Sequence, residues 1–137
     1  TKDYLKQDQK ENVFNFAIPK SNDKQAKEHT GRIADAYEAT LPTNAKKGIT
    51  YTDTKNQIGI TVIPKFRTGD GKKVDGDHIV YPMDGQNLIY TLKYNGLKED
   101  IVVPKYTANE LDFRFELSLP SGVAARLDKK GNIGIYS

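Results

Sequence analysis

The most constraining feature of this chain is strict alternation of apolar and polar residues. In "LDFRFELSL", Leu111, Phe113, Phe115, Leu117 and Leu119 fall on one side, while Asp112, Arg114, Glu116 and Ser118 fall on the other. A period of two belongs to an extended strand with one face turned to a core, because successive side chains of a strand point in opposite directions. "ENVFNFAI" repeats the pattern with Phe14, Phe16 and Ile18. "QIGITVI" places Ile58, Ile60 and Val62 together, with Gly59 admitting a bulge or a close approach of neighbouring atoms. "VAARLDKKGNIGIY" predicts a closing hairpin that turns at "DKKGN".

Between these runs lie the turn-forming stretches "TDTKNQ", "DGKKVDGD", "MDGQ", "YNG" and "LPSG". Their spacing is that of a sandwich or barrel. All six prolines stand near apparent strand ends, where a missing N–H costs no ladder bond. One polar segment, "SNDKQAKEH", predicts a short N-terminal helix capped by Ser21 or Asn22. The expected fold is all-β: a single antiparallel β-sandwich-like domain spanning residues 1–137, with that short helix as its one exception. At 137 residues the chain is long enough to close one core. No apolar run approaches the length needed to span a bilayer as a helix. Thr1 reads as a trimmed end, so the chain is expected to be an excerpt of a longer polypeptide.

The stretch "YTLKYNGLKEDIVV" poses the sharpest question. Asn95-Gly96 is a strong type I′ hairpin signal, since both residues tolerate positive φ. A loop of those two residues would set Leu92 opposite Glu99 and Leu88 opposite Val103. Glu99 then joins Leu88, Tyr90, Leu92, Tyr94, Leu97, Ile101 and Val103 on the apolar side. A carboxylate there needs hydrogen bonds or a cation. The structural expectation is a hydrogen-bonded corner in which Glu99 meets a tyrosine hydroxyl, a loop amide, or Arg114 or Arg126. The functional alternative is a binding or catalytic carboxylate with a raised pKa.

Other chemistry is thinly represented. With no Cys there is neither thiol catalysis nor a cysteine metal site. Only His29 and His78 are available to a serine nucleophile, and no G-x-S-x-G occurs. The 18 acids could supply a glycosidase pair, but no Trp exists to stack a sugar. Asp70, Asp75 and Asp77 in "TGDGKKVDGDH" form an oxygen-rich loop that could take calcium, although the closing Glu of an EF-hand is missing and Lys72 and Lys73 offset the acids. No other cofactor is expected. A net charge of +3 with acids interleaved among the lysines argues against a nucleic-acid partner. Tyr51, Tyr94 and Glu99 are the candidate binding residues, the tyrosines as platforms for a sugar or a base. An intramolecular Lys–Asn crosslink of the kind that replaces disulfides in some surface domains is a further possibility.

From about Asp77 to Ser137, through "YTLKYNGLKEDIVV", "LDFRFELSLP" and "ARLDKKGNIGIYS", the sequence resembles β-rich modules of large secreted, wall-associated and RHS-type bacterial proteins. The remainder resembles them loosely through "GITYTDTKNQIGITVIPK". The resemblance implies a module near the front of a long exported polypeptide, located outside the cell or on its surface. Its partners would be other domains of that polypeptide or a cell-surface component, with no insertion into a membrane. It implies no catalytic residues. The expected function is therefore a non-catalytic structural or adhesive module. A glycan- or wall-binding module, or a small enzyme seeded by Glu99 and His78, are the alternatives.

Overall fold

The computed structural model describes residues 4–18, 37–93, 96–103 and 112–136. The predicted helix at "SNDKQAKEH" and Tyr94 lie outside these. Within them the chain is all-β, with twelve strands in chain order. β1 (Leu5–Asp8), β2 (Val13–Ile18), β3 (Tyr37–Pro42), β4 (Ile49–Asp53) and β5 (Ile58–Pro64) form a first sheet. β6 (Lys72–Val74), β7 (His78–Pro82), β8 (Asn87–Lys93) and β9 (Gly96–Val102) form a second. β10 (Phe115–Ser118) returns to the first sheet, and β11 (Ala124–Leu127) pairs with β12 (Ile133–Tyr136) alone. Spatial orders are β1-β2-β3-β4-β5-β10 and β6-β7-β8-β9, antiparallel throughout.

The two larger sheets pack face to face through the residues that the alternation assigns inward. Phe14, Phe16, Tyr37, Leu41 and Ile49 of the first sheet share one buried cluster with Ile79, Tyr81, Leu88, Tyr90 and Leu92 of the second. Hydroxyls tie the sheets together across this core. Tyr81 donates to the Pro42 carbonyl at 2.6 Å. Tyr37 donates to the Lys93 carbonyl and lies 3.1 Å from that of Gly96. Burial holds the Tyr37, Tyr81 and Tyr90 hydroxyls well above their ordinary pKa of 10.0, so they stay protonated as donors. Pro42, Pro64 and Pro82 end β3, β5 and β7, as their missing N–H requires.

Two turn signals work by one device. The Asp53 carboxylate accepts from the backbone N–H groups of Lys55 and Asn56 and from the Asn56 side chain. Asp128 accepts from the N–H groups of Lys130 and Asn132. These bonds favour the ionised form and lower both pKa values, the Asn56 side chain acting most on Asp53 and the Asn132 N–H most on Asp128. Gly59 sits opposite Thr52 in an unbroken ladder, so it serves close packing rather than a bulge.

Three expectations are corrected. Among the described residues, only Phe115–Ser118 of "LDFRFELSL" form a strand, and β10 is the last strand of the first sheet, with Leu117 37% exposed. Phe113 and Phe115 instead pack edge-on against Phe66. The hairpin at "VAARLDKKGNIGIY" forms at the expected turn, but as a separate ribbon with Leu127 73% and Ile133 66% exposed, rather than closing the sandwich. In the β8–β9 hairpin the register lies two residues from the expected one, with Lys93 opposite Gly96, Leu92 opposite Leu97 and Leu88 opposite Ile101. The two-residue connection is therefore 94–95, not Asn95-Gly96. Gly96 is the first strand residue, at a φ of 151° that an L side chain rarely adopts.

Candidate functional site

A shift of two residues preserves the side of every side chain, so Glu99 still points to the inner face. It stands directly opposite Tyr90, and the Tyr90 hydroxyl donates to its Oε2 at 2.7 Å. Of the partners considered from the sequence, the tyrosine is the one found. Arg114 is held by Asp112 at 2.9 Å, and the Arg126 guanidinium lies over the Tyr136 ring. Among the described strands β9 is the last of its sheet, and Glu99 as a residue is exposed although its carboxyl end is partly screened by the walls around it. That screening raises its pKa above the ordinary 4.5, the Tyr90 bond opposes the rise, and the Asp100 charge adds to it. The exposure of the residue means the energetic consequence is small.

Glu99 and Tyr51 come together. Tyr51 on β4 stacks on Tyr37 with ring centroids 5.0 Å apart and forms part of a cleft of about 310 Å³. Ile49, Ile60 and Val62 line the same cleft from the first sheet, while Tyr90, Gly96, Leu97 and Glu99 line it from the second. Alternation in the sequence groups Ile60 with Val62, and Tyr90 with Leu97 and Glu99, but no local pattern says which strands oppose one another across a core.

His78 and Glu99 do not converge. His78 pairs with Thr91, which pairs with Lys98, so all three project from the outer face of the second sheet, opposite to Glu99. The His78 Nδ1 lies 2.7 Å from an Asp77 carboxylate oxygen, close enough for an ion pair but not aligned as a hydrogen bond. Asp75 and Asp77 occupy the β6–β7 turn, and Asp70 is exposed on the approach to it. Among the described residues, no three of His, Cys, Asp and Glu gather to hold a metal ion. No helix among them is long and apolar enough to cross a membrane.

The tyrosine platform imagined for a sugar is not assembled from the described residues. Tyr37, Tyr81 and Tyr90 are buried, and Tyr81 and Tyr90 meet edge to face. What the outer face of the first sheet does carry is a row of short polar side chains. Asn15, Thr40, Thr50, Thr61 and Ser118 are successive cross-strand partners over five strands. Thr40 donates to Asn15, and the Thr50 and Thr61 hydroxyls are 3.2 Å apart. At the sheet's other end Lys6 stands opposite Asn15, with Glu38 lining the same surface hollow. All three are exposed, whereas an amide crosslink would need them shielded from water.

Two predictions arise from Glu99. A carboxylate on the inner face of an edge strand discourages pairing with a foreign strand, since pairing would bury the charge. Glu99→Val is expected to increase concentration-dependent self-association, measured by sedimentation velocity; a variant that stays as monodisperse as the parent contradicts this role. The second concerns pH. Among the described residues, Tyr90 on β8, Tyr51 on β4 and Asp100 on β9 are titratable groups near Glu99. Because the folded-state pKa is raised, the folded form binds the Glu99 proton more tightly than the unfolded chain does. Its contribution to stability is then greatest below pH 4.5 and is lost as pH rises through the folded-state pKa. Glu99→Gln should remove that component, so the stability of the parent minus that of the variant should fall across this window. A flat difference in chemical denaturation would contradict the screening.

No known family model, curated protein or solved structure matches this chain.

Proposed function

We propose that this chain is a non-catalytic structural or adhesive module of a larger bacterial protein outside the cell or on its surface. The observation that carries this reading is the use made of its reactive side chains. The Tyr37 and Tyr81 hydroxyls join one sheet to the other, and Glu99 is held by Tyr90. His78, the other seed of an enzyme, faces away from Glu99 across the sheet. The resemblance of residues 77–137 to modules of exported bacterial proteins supplies the cellular setting.

A glycan- or wall-binding role is the second reading, favoured by the Asn15–Thr40–Thr50–Thr61–Ser118 row, which offers hydroxyls and an amide at the regular spacing of a sheet. Retention of the purified protein on insoluble peptidoglycan and a polysaccharide panel, at low and moderate salt, separates the two. The structural reading expects no retention that survives moderate salt. Salt-resistant retention that disappears in Thr50→Val/Thr61→Val would replace it with the glycan reading.

A further inference from the structure

We propose that the cleft between the sheets is a binding site for a small organic monocation, an ammonium or guanidinium group on a compact apolar body. The walls set the body. Ile49, Ile60, Val62 and Leu97 present aliphatic surface, and the Tyr51 and Tyr90 rings complete the lining. A volume of about 310 Å³ is at the small end of ligand sites and suits one ring or a short branched chain.

Glu99 sets the charge. Among the described residues that line the cleft it is the one carboxylate. Tyr90 bonds Oε2 at 2.7 Å and so orients the carboxyl group, while a carboxylate has further lone pairs with which to accept from a ligand. The neighbouring cation, Lys98, projects from the opposite face of β9 and pairs with Asp100 at 3.4 Å. Among the described residues Glu99 has no ion-pair partner. A ligand cation would supply the missing charge. An anion would meet Glu99 with like charge, and among the described lining residues no basic side chain would receive it.

Phenethylammonium, phenethyl alcohol and 3-phenylpropionate share a ring and differ in head-group charge. Titrated into the 15N-labelled protein at neutral pH, the ammonium should move amide resonances of β4, β5 and β9. It should bind about tenfold more tightly than the alcohol, as expected for a charged hydrogen bond at a partly exposed site. The anion should bind more weakly than the alcohol. Glu99→Gln keeps an acceptor for Tyr90 and should bring the ammonium down to the affinity of the alcohol while leaving the alcohol unchanged. Equal binding of ammonium and alcohol by the parent, undiminished ammonium binding in Glu99→Gln, or shifts confined to other strands would each overturn the proposal. The parent comparison decides even if the variant fails to fold.

Discussion

Leu88→Ala is expected to lower the free energy of unfolding by about 2–5 kcal/mol. Leu88 sits on β8, between β7 and β9, and is fully buried in the cluster shared by the two larger sheets. Truncation removes apolar contact and leaves a cavity that strands paired on both sides cannot collapse to fill. Leu127→Ala is the matched control: the same chemical change on a residue 73% exposed should stay within about 0.5 kcal/mol. Both read as shifts of the denaturant midpoint at unchanged slope. If Leu127→Ala costs as much as Leu88→Ala, the β11–β12 ribbon is part of the cooperative core rather than a separate ribbon.

The second large effect centres on Tyr81, which is constrained at both ends. Its hydroxyl donates to the Pro42 carbonyl, and its ring lies so close to Gly71 that a Cβ there would meet ring atoms at 2.6 and 2.9 Å. Gly71 is itself fixed, because its N–H donates to the Thr43 carbonyl at 2.8 Å. Tyr81→Phe is expected to cost about 1–3 kcal/mol, since the Pro42 carbonyl loses its partner in a dry environment. Gly71→Ala should cost about 1–3 kcal/mol by overpacking, as the ring cannot retreat without breaking its hydroxyl bond. In the double variant Gly71→Ala/Tyr81→Phe the losses should sum to less than the two singles, because the phenyl ring is free to move once the hydroxyl is gone. Strict additivity would mean that the ring is not held in place by that bond.

Much of this architecture is written locally in the sequence. Phe14 and Phe16 announce themselves as inner residues by alternation, and "TDTKNQ" and "DKKGN" mark turns because an aspartate can gather the N–H groups that follow it. The inner face of the β8–β9 hairpin was legible even though its register was not. Asn95-Gly96 names the neighbourhood of the turn, and a slip of two residues leaves Leu88, Tyr90, Leu92, Leu97 and Glu99 on the same side. What alternation does not encode is the number of neighbours a strand has. "LDFRFELSL" is as periodic as "ENVFNFAI", yet β2 is flanked by β1 and β3 while β10 closes an edge. The apolar side chains of β10, β11 and β12 are therefore more exposed than their pattern implies. The meeting of Tyr51 with Glu99 is still less local, since it depends on how one sheet lies over the other.

Glu99 is the residue on which a scaffold and a chemical site differ most. The direct test is a double-mutant cycle on the Tyr90–Glu99 pair, using Tyr90→Phe, Glu99→Ala and both together, with unfolding free energies measured at neutral pH. A bonded pair predicts a coupling of about 0.5–3 kcal/mol, with the double variant scarcely less stable than the worse single. Additive losses would contradict the account, because they would leave Glu99 without the structural partner that explains why a carboxylate faces the inside of this sheet.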